Sequence, residues 1–347
     1  MSRHVTFAFP GDLALNTGGY AYDRRVIAGL AERNWSVACL PLGEGFPFPA
    51  PEVKEEAERR LSQLPDGGLL VVDGLAFGVL DQWAEREARR LRIVALVHHP
   101  LALETGLDTG QQRRFEDSER RALSFARRVI VTSPMTARAL AAHYDVRPDR
   151  LVVAVPGTDP ARMATCEGDP AHILSIGTLT PRKGHDVLIA ALKEIEDLPW
   201  RATIVGSHKL DPQTAAALEK QVERLGLAER ISLAGESEDT RALLADADVF
   251  ALASRFEGYG MVFAEALSQG LPIVACRAGA VPEVVPEDAG MLVPVDDVSA
   301  FARALRSLVA DKSLRRTKAA AARRAGASLP GWDVTVGIIA QALETLR

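Results

Sequence analysis

Two glutamates, Glu257 and Glu265, stand eight positions apart, with a glycine-bearing turn (Gly258, Tyr259, Gly260) between them and an apolar helical pattern around the second. A helix advances about 1.5 Å per residue, so eight steps span roughly 12 Å. That is wider than the ~5–10 Å between carboxylates that act as acid and base on one glycosidic bond. The spacing suits two acids that hold the two ends of one long polar ligand.

Other chemistry-bearing residues follow apolar runs. Gly177-Thr178-Leu179-Thr180-Pro181-Arg182-Lys183-Gly184-His185 places an arginine and a lysine side by side in a tight loop. A guanidinium fork and an ammonium point charge can neutralise a pyrophosphate there, or the loop is a solvated basic turn. Asn16-Thr17-Gly18-Gly19-Tyr20 leads into a helix, where paired glycines let a backbone approach a phosphate or form an ordinary turn. His98 and His99 end another apolar run. Alternation along a strand keeps them from facing the same side, and either could bond a hydroxyl, move a proton or cap the turn. No cysteine or carboxylate stands at zinc-ligand spacing from them. Asp246-Ala247-Asp248 has the look of a cation-holding acid pair but runs straight into a strand at its amino end, which predicts a helix-to-strand turn. Asp73 at a strand end reads as a turn aspartate or an acceptor contact. The arginines between 111 and 128 alternate with Glu116, Asp117 and Glu119, the pattern of a solvated helical face, with anionic lipid as the lesser reading.

These residues need a scaffold, and the chain supplies its pattern twice. Apolar runs at 4–9, 36–40, 69–72, 93–97, 129–131 and 151–155 alternate with helical patterns at 22–33, 52–64 and 111–128. A second series, at 172–176, 202–205, 231–233, 249–252, 273–275 and 290–292, alternates with helices at 186–195, 212–225, 241–245 and 262–269. Strands separated by helices predict βαβ units and parallel sheets. The 347 residues exceed what one core usually holds. The expected division is 1–160 and 161–330, with a final helix in 331–347 returning to the first domain. An open parallel sheet binds ligands beyond the carboxyl ends of its strands, where the glycine, basic and histidine clusters fall. A net charge of −5 argues against nucleic acid as partner. Cys39 and Cys276 lie in strand-like runs and read as small core residues. The absence of an early signal-type segment and of any long apolar run predicts a cytoplasmic protein.

Taken together, the motifs resemble the retaining glycosyltransferases of family 4. The resemblance rests on Glu257 and Glu265 with Phe256, Gly258 and Gly260; on Gly177, Leu179, Arg182, Lys183 and Gly184; and on Gly279-Ala280-Val281-Pro282-Glu283-Val284. It implies an α/β protein of the GT-B fold, two Rossmann-like doubly wound domains facing across a cleft. It implies transfer of a sugar from a nucleoside-diphosphate sugar, UDP- or GDP-linked, to an acceptor hydroxyl with retention and without metal or cofactor. Arg182 and Lys183 would then bind the diphosphate, Glu265 the ribose and Glu257 the transferred sugar. Backbone around Gly258, Tyr259, Gly260 and Met261 would touch sugar or phosphates, and Gly18 and Gly19 would complete the phosphate site. Gly177 belongs to the donor loop, Gly206 and Glu236 would lie near the base, and His98 matches the family histidine better than His99. The alternatives are an epimerase or phosphorylase on the same plan, or a non-catalytic nucleotide-sugar-binding subunit.

Overall fold

Short, continuously apolar runs can bury both faces only inside a sheet covered by helices on each side. The computed structural model, which describes residues 3–347, contains two such sheets in two units: Met1–Gly157 with Pro330–Arg347, and Thr158–Leu329. The first unit runs β1 (Arg3–Phe9), α1 (Gly18–Glu32), β2 (Trp35–Pro41), α2 (Pro51–Ser62), β3 (Leu69–Asp73), α3 (Gly74–Phe77), α4 (Asp81–Glu87), β4 (Arg92–Val97), α5 (Thr109–Ser124), β5 (Arg128–Val131), α6 (Pro134–His143) and β6 (Leu151–Val153). Its strands are all parallel in the order β2-β1-β3-β4-β5-β6. Strand order reverses between β1 and β3, so the loops leaving those strands diverge and open a crevice at their carboxyl ends.

The second unit runs β7 (Ala171–Ile176), α7 (His185–Glu194), β8 (Trp200–Val205), α8 (Pro212–Arg224), β9 (Ile231–Gly235), α9 (Thr240–Ala245), β10 (Val249–Leu252), α10 (Met261–Ser268), β11 (Ile273–Cys276), α11 (Val281–Val284), β12 (Gly290–Val293), α12 (Val298–Ala310) and α13 (Lys312–Ala327). Its parallel order is β12-β11-β10-β7-β8-β9, with the reversal between β7 and β10. The core around this sheet includes Ile173, Leu188, Leu192, Trp200, Ala251, Phe301 and Leu305. The last helix, α14 (Trp332–Glu344), belongs to the first unit. Thr335 Oγ1 donates to the Val155 carbonyl at 2.7 Å, Arg33 donates to the Asp333 carbonyl at 2.7 Å, and Val336 lies against Gly29 of α1.

Each expected run forms a strand, with ends displaced by a residue or two. The helices differ more. α1 begins at Gly18, not at Tyr22, because the Thr17 hydroxyl accepts from the Tyr20 amide and starts the helix ahead of the paired glycines. α5 stops at Ser124 because residues from Arg128 onward enter β5. Cys276 is buried but Cys39 is exposed, since β2 is the edge strand of its sheet and carries a mostly exposed pattern. Glu257 also precedes α10, so only part of the interval to Glu265 is helical and the helix-rise estimate of their separation does not apply. No described helix is long and apolar enough to cross a membrane.

Candidate functional site

At the reversal in the second sheet, the loops after β7 and β10 are locked together by backbone. The Arg255 amide donates to the Arg182 carbonyl at 2.7 Å, and Gly184 packs so closely on Ala253 that an added Cβ would lie 2.0 Å from the Ala253 oxygen. Arg255 reinforces the joint by pairing with Asp186 and Asp296, both at 2.8 Å. The two sequence segments 177–185 and 253–261 therefore form one structure.

Within it Glu257 is only 4% exposed. Lys183 Nζ donates to its Oε1 at 2.7 Å and Ser254 Oγ donates to the same oxygen at 2.6 Å, while Arg182 Nη1 stands 3.7 Å from Oε2. Arg182 also donates to the Phe256 carbonyl at 3.1 Å. Burial alone would raise the Glu257 carboxyl, but Lys183 and then Arg182 more than offset it and hold the group below the ordinary carboxylate range. The cluster thus sets two cations against one buried carboxylate. The Glu257 backbone is fixed as well, its carbonyl accepting from the Ala280 amide at 2.9 Å.

Helix starts explain what this charge can hold. Elsewhere in the unit α8, α9, α12 and α13 are capped by the aspartates 211, 239, 297 and 311, each accepting from first-turn amides. α7 and α10 instead begin at Gly184 and Gly260, in left-handed conformation at φ 65° and 90°, without a side-chain cap. The first turn of α10 holds no carboxylate to occupy its amides and repel an anion, whereas that of α7 holds Asp186, which accepts from its own and the Val187 amide and pairs with Arg255. Beneath, the Lys183 stem passes 3.3 Å from where a Gly177 Cβ would be, and buried His185 donates from Nε2 to the Gly177 carbonyl at 3.3 Å. Burial pushes the His185 imidazole down to about 4, so it is neutral.

The structure places the remaining expected residues as follows. Gly258, Tyr259, Gly260 and Met261 lead directly from Glu257 into α10, and Glu265 is half-buried on that helix. Gly206 and Glu236 follow β8 and β9, where the Gly206 amide donates to the Gly235 carbonyl at 2.8 Å and Glu236 is exposed. A Cβ on Gly206 would lie 2.0 Å from the Gly177 carbonyl, so packing accounts for that glycine. Asp248 is a structural acid: it accepts from the Gly168 and His172 amides, both at 2.7 Å, while Asp246 pairs with Arg162. The Arg120–Glu116 pair at 2.8 Å agrees with a solvated face on α5.

Gly18, Gly19 and His98 lie in the first unit. Nothing within 4 Å would oppose a Cβ at Gly18, and one at Gly19 would meet the His98 ring only at ordinary contact, 3.5 Å. His98 Nε2 faces Asp23 Oδ1 at 3.2 Å and Asp73 Oδ2 at 3.5 Å. Burial alone would lower the imidazole, but the two carboxylates outweigh it and raise it to about 10. Among the described residues these are the one trio of ligand-type side chains with donor atoms within 4.8 Å of one another. Both carboxylates turn to the same nitrogen, which makes the trio an ion-pair cluster. Sequence reasoning missed Asp23, Ser254 and the Arg255 brace. Asp23 left a signal: it occupies an apolar-stripe position, with Val26 and Leu30 following at three and seven.

Fold comparison gives the class. Sucrose-phosphate synthase from Thermosynechococcus elongatus superposes with a TM-score of 0.83 at 21% identity, covering 98% of each chain. HepE of Anabaena, solved with UDP-glucose, gives 0.76 at 19% identity over 98% of this chain and 99% of that one. The protein has the GT-B fold, two Rossmann-like α/β units. Its family follows from sequence. The model described as Glycosyltransferase Family 4 matches residues 25–162, and that described as Glycosyl transferases group 1 matches residues 170–311. The chain belongs to glycosyltransferase family 4. A lipopolysaccharide core biosynthesis glycosyltransferase of Rhizobium meliloti is 35% identical over 167 residues, 47% of this chain and 46% of that one. D-inositol 3-phosphate glycosyltransferase of Corynebacterium diphtheriae is 29% identical over 268 residues, covering 69% and 62%. The matches thus span less than two thirds of these relatives' length.

Proposed function

We propose that the protein transfers a sugar from a nucleoside-diphosphate sugar to an acceptor hydroxyl, with retention at the anomeric carbon and without a metal. The observation that carries this reading is the Arg182–Lys183–Glu257 cluster at the sheet reversal, flanked by the start of α10, whose first turn holds no carboxylate. Breaking the sugar–phosphate bond places negative charge on the departing diphosphate. Arg182, Lys183 and the first amides of α10 are fixed donors for that charge and take the part a divalent ion plays elsewhere. Glu257 holds the two cations in place and offers its carboxylate to hydroxyls of the transferred sugar. Glu265 accepts from the ribose, and Gly206 and Glu236 lie toward the base. His98, Gly18 and Gly19 are assigned to the sugar and phosphates by the family resemblance, and the lack of any packing need for a glycine at 18 supports a close ligand approach there.

None of these residues is placed as a covalent nucleophile. The acceptor oxygen would therefore bond to the anomeric carbon on the face from which the diphosphate leaves, its proton passing to a phosphate oxygen. The proposed donors are uridine or guanosine diphosphate sugars. HepE, solved with UDP-glucose, is the lead for the first, and the D-inositol 3-phosphate glycosyltransferases are a lead toward small polyol acceptors. Incubation with a donor panel, with and without acceptors, tests the reading. Release of nucleoside diphosphate that depends on an acceptor, with a product of unchanged anomeric configuration by NMR, is expected. An inverted product overturns retention, and activity abolished by chelator and restored by a divalent ion overturns metal independence.

A further inference from the structure

His98 stands at the carboxyl end of β4, beside the reversal of the first sheet, and it is held from one side only. Its Nε2 is enclosed between Asp23 of α1 and Asp73 at the end of β3, while the edge of the Tyr22 ring meets the imidazole at 5.5 Å between centroids. The side chain as a whole keeps 21% of its surface, so Nε2 is the sequestered nitrogen and Nδ1 the one that can meet a ligand. Asp73 has other work: its Oδ1 accepts from the Leu75 amide at 2.7 Å and caps α3. Asp23 has none. It is fully buried, and no well-aligned hydrogen bond reaches its carboxylate, the nearest donor being His98 Nε2 at 3.2 Å. An ionised carboxylate without a hydrogen bond is costly in the interior and persists only beside a compensating charge. Among the described residues the one cation facing it is His98. Tyr20 and Tyr22, the other titratable groups of α1 nearby, use their hydroxyls elsewhere, on the Pro10 and Ala154 carbonyls at 2.7 and 2.8 Å.

We propose that Asp23 is a positioning residue for His98: it holds the imidazole as a cation with Nε2–H turned inward, so that Nδ1–H is presented outward as a charged donor to an oxygen of the bound substrate. The partner of one ring nitrogen decides what the other can do. With Asp23 in place Nδ1 donates. Without it the ring, left with Asp73 alone, holds its proton less firmly and is freer to turn. The raised imidazole agrees with this arrangement. The inference rests on the reading above, in which His98 meets the donor sugar, but it concerns a proton and a ring orientation that can be measured without turnover.

The test is 15N NMR of histidine-labelled full-length protein, with the His98 signals assigned through His98→Gln, together with kinetics of Asp23→Asn and Asp23→Glu. In the unsubstituted protein both His98 nitrogens should remain protonated at pH 8. In Asp23→Asn the ring should titrate at least one pH unit lower, toward the ordinary 6.5 of histidine. Its kcat should fall about tenfold or more with a smaller change in donor KM, and the acid–base profile of kcat should move in the same direction. Asp23→Glu should restore part of both. A neutral His98 at pH 7 in the unsubstituted protein overturns the proposal even if no variant folds. So does an Asp23→Asn protein whose His98 titration is unchanged. If the NMR result holds but no sugar nucleotide is turned over, it is the transferase reading that falls.

Discussion

A carboxylate beneath two cations does two things that substitution separates. Glu257 neutralises part of the charge on Lys183 and Arg182, and it fixes where that charge sits. Glu257→Gln keeps an acceptor for Ser254 and Lys183 but removes the neutralising charge. Nucleoside diphosphate affinity should therefore stay the same or tighten, while kcat falls about tenfold or more because the donors are no longer held in place. Calorimetry beside steady-state kinetics checks the split; a variant that loses affinity and keeps kcat would contradict it. Lys183→Ala and Arg182→Ala should act in the opposite sense on affinity. A charge-assisted hydrogen bond contributes about 1.5–3 kcal/mol, so each should lower kcat/KM by roughly ten- to hundredfold.

Elements carry predictions of their own. Gly184 ends one loop, starts α7 and touches the Ala253 carbonyl, all at φ 65°. Gly184→Ala would add left-handed strain of about 1–3 kcal/mol and a clash no rotamer relieves. A Tm several degrees lower is expected, and a Tm within a degree would show that the two loops are not locked as described. In the first unit, buried Glu119 of α5 accepts from the Leu101 amide at 3.0 Å, and burial pushes its carboxyl up to about 8. The folded protein then binds a proton that the unfolded chain has released between about pH 4.5 and 8. Stability must fall as pH rises through that window. Glu119→Gln should flatten the fall without losing the acceptor, which melting curves between pH 5 and 8.5 would reveal.

The strands were legible because parallel strands covered on both faces are short unbroken apolar runs, as at Leu69–Asp73 and Val249–Leu252. The basic loop was legible for a related reason: Arg182, Lys183 and Glu257 sit in the loops that follow such runs. What stayed hidden was pairing over distance. Nothing near position 257 announces that Gly279 lies against its backbone, or that Arg255 braces Asp186 sixty-nine residues away. The start of α1 was misplaced because paired glycines read as a turn until the Thr17 cap is seen.

At the scale of the molecule, the chain leaves its first unit at Gly157 and returns to it at Pro330. α14 is therefore a structural part of the unit that the chain began with. Truncation after Leu329 would strip α1 of the Val336 and Asp333 contacts and uncover the Val155 carbonyl. Hydrogen exchange on the truncated protein should show β1, β6 and α1 losing protection while β7, β8 and β10 keep theirs. Equal loss in both sheets would mean that the units do not divide as their contacts indicate.

The account as a whole depends on the charge at the reversal of the second sheet receiving a diphosphate. Titration calorimetry of uridine and guanosine diphosphates against the full-length protein and against Arg182→Ala/Lys183→Ala addresses it most directly. Saturable binding of at least one of them is expected, weakened about a hundredfold or more in the double variant as two charge-assisted contacts are lost. Binding of equal strength to both proteins, or no binding to the unsubstituted one, would contradict it.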